Sequence, residues 1–299
     1  MRLWIFTVLL AACQAPPLPP QEFDGQAALR YVETQVGFGP RIPGTSGHRA
    51  MGLWLDSLLR TRADEVVIQD WEHQTAEGKT LPMRNLIARF RPELTERILY
   101  LAHWDTRPRS DAAGVADTTV PVPGANDGGS GVAVLLGVAD ALKLSPPDIG
   151  VDLLFVDGED YGHFPATDVL IGSTYYAANP VPGPRPRFAV LFDMVGDASP
   201  RFPKEGWSVI AAGSVVDRVW EIAAELGHAA IFVPQVGMEI TDDHLPLQRA
   251  GFQAIDIIDL DYPYWHTPDD TPDKVSSATL QIVGDVAMAV IRREAPSPR

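Results

Sequence analysis

The chain has 299 residues, enough for one large α/β domain or two small ones, and no internal linker, repeat or low-complexity tract divides it. Its 39 acidic residues against 24 Lys and Arg leave a formal charge of −15, which argues against a nucleic-acid partner. With a single cysteine no intramolecular disulfide can form, so the fold must rest on its core, on bound metal, or on both.

Residues 1–13 read as a signal segment. Arg2 precedes an apolar run over 3–12, shorter than the roughly 20 residues of a membrane span but long enough for a signal-peptide core. It ends in Leu10-Ala11-Ala12-Cys13, the pattern of a bacterial lipobox, in which Cys13 is acylated and becomes the new amino terminus. An ordinary signal peptide cleaved near Ala12, or a buried structural Cys13, are the other readings of the same residues. Residues 14–24 are then a Pro-rich tether and 25–295 the folded domain. The expected location is the cell envelope, at the periplasmic face or outer membrane, with the lipid as the only membrane contact.

Apolar spacing predicts helices over 26–36 and 46–62, followed by strands over 66–71 and 83–90. The runs 97–102, 151–156, 188–192 and 254–258 are short and largely apolar, as suits central strands covered on both faces. Helices are predicted between and after them, over 131–144, 168–178, 215–226, 243–250 and 276–292. This alternation predicts a single α/β domain with a mostly parallel central sheet sandwiched by helices.

In such a fold ligands gather beyond the carboxyl ends of the strands. Polar residues follow nearly every apolar run: His103 and Asp105; Asp157, Glu159 and Asp160; Asp193; Asp259 and Asp261, with His266 soon after. Singly, each acid is a common cap or turn residue. Together they are costly in self-repulsion unless a cation sits among them, and zinc accepts both imidazole and carboxylate.

The stretches HWDTRP (103–108), GANDGGSGVAVLL (124–136), FVDGEDYG (155–162), LFDMVGD (191–197), TDDHLPLQRAG (241–251) and YWHTPDDTPDKV (264–275) resemble the zinc aminopeptidase superfamily. Within it they are most similar to the animal-type glutaminyl-peptide cyclotransferases and their bacterial relatives. The resemblance implies zinc held by Asp127, Asp160 (a position often Glu) and His266, with Glu159 as general acid/base. It implies a second zinc on His103 and Asp193 in a two-metal aminopeptidase. In a one-zinc cyclase it implies instead an acid network of Asp193 with Asp243. Trp265 matches an aromatic packed against substrate. Phe164 is the aromatic in the segment where animal cyclases carry a gating Trp.

The activity so implied is conversion of an amino-terminal Gln of peptides or proteins to pyroglutamate with release of ammonia. The alternatives are two-zinc hydrolysis of amino-terminal residues and a non-catalytic surface lipoprotein. Arg107 and Arg109 could steady a peptide but read first as solvated-loop residues. His163 reads as a loop residue, and His244 as a residue supporting the site from behind or starting a helix.

Overall fold

The computed structural model describes residues 22–163 and 167–294. Helix α1 (Gly25–Gly37) starts where the Asp24 carboxylate accepts the N–H groups of Gln26 and Ala27, and α2 (Ser46–Arg60) starts at a Thr45 cap. Such caps satisfy N–H groups that a first turn leaves unpaired. An antiparallel hairpin of β1 (Glu65–Gln74) and β2 (Thr80–Phe90) follows. Next come β3 (Arg97–His103), α3 (Gly129–Leu144), β4 (Gly150–Val156), α4 (Ile171–Ala178) and β5 (Ala189–Asp193). The chain closes with β6 (Phe202–Lys204), α5 (Gly206–Glu225), β7 (Phe232–Val236), α6 (His244–Arg249), β8 (Ala254–Ile258), a 3-10 turn (Pro272–Lys274) and α7 (Ser277–Glu294).

Six strands form one sheet in the order β1-β2-β4-β3-β5-β8. The β4/β3, β3/β5 and β5/β8 pairings are parallel, and β1/β2 and β2/β4 are antiparallel. This is the expected single α/β domain with a mixed, mostly parallel sheet. Alternate residues of each central strand enter opposite layers. Tyr100, Leu153, Val190 and Ile255 pack toward α1, α3, α5 and α7, whereas Leu101, Leu154, Leu191 and Ala254 meet Tyr176 and Leu247 of α4 and α6. Both layers being covered is why these strands read as unbroken apolar runs.

Two differences from the sequence reading have local causes. The helix expected over 168–178 begins only at Ile171, because Asp168 and Leu170 take left-handed φ values of 59° and 54°. The helix expected over 215–226 is preceded by a further helical stretch that starts at Gly206, where Glu205 accepts the N–H groups of Trp207 and Ser208 as its cap. The two meet at a kink where Ala212 leaves helical geometry (φ −145°, ψ 40°). Ahead of and behind that helix lie β6 and β7, which pair in a small separate parallel sheet the apolar pattern did not reveal.

Candidate active site

His103 is the last residue of β3, Asp193 the last of β5, Glu159 and Asp160 follow β4, and His266 lies beyond β8. The sheet thereby delivers chemistry-bearing groups to one rim. Asp127 comes from the loop that enters α3. Its neighbours Gly124 and Gly128 have φ of 72° and 62°, and a Cβ on Gly128 would sit 2.8 Å from His103 Cε1. Only glycine lets this loop lie so close to β3.

The loops are fixed by buried carboxylates. Asp105 accepts the backbone N–H of Glu159 at 3.0 Å and of Asp160 at 3.2 Å. Asp270, from the YWHTPDD stretch, accepts the N–H groups of Asn126 and Asp127 at 2.9 and 3.1 Å and the Tyr262 hydroxyl at 2.6 Å. Burial, with the charge of Asp127 nearby, pushes the Asp270 carboxyl up to about 6.

Asp127, Asp160 and His266 meet as expected: one ligand-type atom from each lies within 4.8 Å of the others, all buried. His266 Nε2 is 3.6 Å from Asp127 Oδ2 and 3.5 Å from Asp160 Oδ1. Asp160 Oδ2 is buried without a hydrogen-bond partner. Two carboxylates and an imidazole aimed at one point, with an orphaned oxygen among them, fit a zinc ion. His103, Asp127 and Asp193 form a second such group. There His103 Nε2 lies 3.2 Å from both Asp127 Oδ1 and Asp193 Oδ1. Burial by itself would lower the His103 pKa, but its bonds to Asp105, Asp127 and Asp193 carry it well above the ordinary value.

Glu159 is buried beside this centre. Desolvation first, then the charges of Asp160, Asp242 and Asp243, raise its carboxyl well above the usual range. A buried carboxyl so perturbed at the wall of a cavity has the character of a proton-exchanging group. Trp265 stacks on His266 with ring centroids 3.9 Å apart and remains 43 % exposed.

A cavity of about 510 Å³ opens over these residues, lined by Asp127, Glu159, Asp160, Asp193, Trp265 and His266. Of the adjacent acids, Asp242 lines it; Asp243 does not, being turned behind the wall where it accepts the Ser173 hydroxyl at 2.5 Å. The network expected between Asp193 and Asp243 is not joined by a hydrogen bond among the described residues: Asp193 faces His103, and the Asp243 N–H donates to Asp242 Oδ1. Burial drives Asp242 well above the usual carboxylate range and Asp243 up to about 7. Phe164 lies outside the described residues.

Sequence reasoning missed Arg107 and Asp111. Arg107 is buried rather than solvated, donating from Nη1 to Asp160 Oδ1 at 2.5 Å and from Nε and Nη2 to Asp111 at 2.8 and 2.7 Å. Asp111 also lies 3.0 Å from His266 Nδ1. Only the Arg in HWDTRP could have signalled this, since its partner Asp160 is remote in sequence. His244 is fully buried, 3.3 Å from Glu205 and 3.8 Å from Asp256, and His163 lines the cavity.

The sequence profile of peptidase family M28 matches residues 85–291. Among solved structures, the glutaminyl cyclase of Bacteroides thetaiotaomicron, solved with N-acetylhistamine bound, superposes with a TM-score of 0.87 at 39% identity, covering 91% of this chain and 98% of that one. The glutaminyl-peptide cyclotransferase of Drosophila melanogaster is 26% identical over 80% of this chain and 73% of its own length. Aminopeptidase YwaD of Bacillus subtilis is 29% identical over 90% of this chain, which spans only 57% of that longer enzyme.

Proposed function

Because the chain belongs to peptidase family M28, we propose that its site is that of a zinc-dependent glutaminyl-peptide cyclotransferase, acting on peptide amino termini. The observation that carries this reading is that solved glutaminyl cyclases of Bacteroides thetaiotaomicron, Tannerella forsythia and Porphyromonas gingivalis match this chain at 36–40% identity over 97–98% of their own length. A leucine aminopeptidase precursor of Bacteroides thetaiotaomicron matches as fully, so a peptide test decides between the two. The reaction needs no water. The α-amine nitrogen of an amino-terminal Gln attacks its own γ-amide carbon, a new C–N bond closes the ring, and the former amide C–N bond breaks to release ammonia.

Asp127, Asp160 and His266 would hold the ion. When bound, zinc supplies Lewis-acid polarisation of the amide carbonyl and a positive charge that offsets the crowded carboxylates. Glu159 takes the proton from the attacking amine and returns it to the departing nitrogen, a task suited to its raised pKa. Asp193 and Asp242, on the cavity wall, offer carboxyl oxygens that can accept hydrogen bonds from the amine as it enters. Trp265 offers a flat face to the substrate. One ion suffices for this chemistry, because no water has to be activated; His103 Nε2 then faces Asp193 Oδ1 at 3.2 Å.

The test is to incubate the metal-loaded protein separately with Gln-initiated and Leu-initiated peptides. Loss of one ammonia from the first supports the cyclase. Release of free Leu from the second would instead assign the two-zinc aminopeptidase, for which His103, Asp127 and Asp193 are the second donor set. We also propose export and lipid anchoring through Cys13, supported by the apolar run and lipobox before it. Replacing Cys13 by Ser should then move the protein from membrane to soluble fractions, and unchanged fractionation would remove the anchor.

A further inference from the structure

Eight large hydrophobic side chains are exposed among the described residues; two of them line the cavity, and three lie on β7 and α5, segments joined by backbone pairing to Met238. Met238 (69 %) and Trp265 (43 %) line the cavity and also face solvent, so they form part of its rim. Val236 (61 %), Trp207 (37 %) and Ile210 (68 %) lead away from Met238. Continuity is set by the backbone. Lys204 pairs with Val236 across β6 and β7, Gly237 N–H donates to Lys204 O at 2.7 Å, and Gly206 N–H donates to Met238 O at 2.8 Å. Trp207 follows Gly206 directly, and Ile210 is one turn further along the same side of α5. The backbone thus places these exposed apolar side chains on a strip of adjoining segments, with the Glu239 side chain lying over Gly206 between Met238 and Trp207. On a strongly acidic protein such exposure at a cavity mouth suits recognition of a partner chain.

We propose that this strip binds the residues that follow the terminal Gln, and that it selects chains in which those residues are apolar. The proposal rests on the cyclase reading for the identity of the first residue only. A substrate held by its amino terminus must leave through the opening, and Met238 stands at that opening. An extended chain advances about 3.3 Å per residue, so the next few side chains fall on the rim and the strip beyond it. Aromatic and Met side chains accept varied apolar partners, as a surface for many protein termini requires.

The test compares Gln-Leu-Phe-Ala amide, Gln-Gly-Ser-Ala amide and glutamine amide on the metal-loaded wild type and on the double variant Ile210→Ser/Val236→Ser. Both variant positions lie outside the cavity lining. The wild type is expected to favour the apolar tetrapeptide at least fivefold in kcat/KM, chiefly through KM. The variant should bring that ratio within twofold while turning over glutamine amide at the wild-type rate. An equal ratio in wild type and folded variant overturns the proposal. A variant that loses self-association in sedimentation, or flotation with phosphatidylglycerol vesicles, while keeping the peptide preference, overturns it in favour of a second copy or a membrane. If no Gln peptide is turned over, the cyclase reading falls by itself. The strip is then judged from calorimetric Kd values of the two tetrapeptides, and equal values overturn it.

Discussion

Asp111 holds two partners at once, the Nδ1 side of His266 and the guanidinium of Arg107, and Arg107 in turn grips Asp160. The two outer members of the metal group are therefore joined through a loop that touches neither by chain connection. Carboxylates that hydrogen-bond a ligating imidazole fix its tautomer and orientation. Asp111→Asn, in a partly exposed loop, should fold normally and weaken zinc binding about 10- to 100-fold in a chelator competition; unaltered affinity would show that His266 needs no such support. Glu159 makes the opposite prediction. Glu159→Gln keeps the shape but loses the proton acceptor, so zinc should stay bound while turnover falls by about 10²- to 10⁴-fold. A rate within threefold of wild type would remove Glu159 from the chemistry.

Helix α5 couples a cap to the cavity wall. The Glu205 carboxylate accepts Trp207 N–H, Ser208 N–H and Oγ–H, and the N–H of Ile240, which lines the cavity. Burial opposes its charge, but His244 and these donors outweigh burial and hold it at about 2, against a usual 4.5. Its contribution is therefore complete above the unfolded value and is lost as pH falls from about 4.5 towards 2. Glu205→Gln should cost on the order of 2–3 kcal/mol in urea unfolding at pH 7, with the gap to wild type narrowing below pH 4.5. A gap independent of pH would mean packing, not charge, is what the substitution disturbs. Helix α3 gives a steric counterpart. A Cβ on Gly131 would sit 2.0 Å from Phe192 O of β5, so Gly131→Ala must push the helix off the sheet. About 1–3 kcal/mol is expected from such overpacking, read from the same unfolding curves.

Across the whole molecule, a bound ion that the unfolded chain cannot hold adds stability by mass action. Stripping zinc should lower Tm by several degrees and re-addition should restore it; a Tm blind to the chelator would place the metal elsewhere or nowhere. The sheet was legible in the sequence because strands buried on both sides announce themselves as apolar runs, and His103, Glu159, Asp160 and Asp193 because they end or follow those runs. Asp127 and His266, which come from loops, took their metal roles only from the family resemblance. Asp242 and Asp243 could not be told apart, since which neighbour faces the cavity is decided by Ser173, far away in the chain. Arg107 was unreadable for the same reason. Strands β6 and β7 are short, and each carries a proline, Pro203 or Pro234, which reads as a turn.

The metal group draws one member from the entry to α3, one from the end of β4 and one from beyond β8. No stretch of the nascent chain contains a usable fragment of it, and the last member arrives only after the edge strand β8 has docked against β5. Ion capture should thus follow the pairing of β8 with β5. A chelating dye competing for zinc during refolding would serve as a clock for completion, silent for any intermediate whose C-terminal quarter has yet to join the sheet.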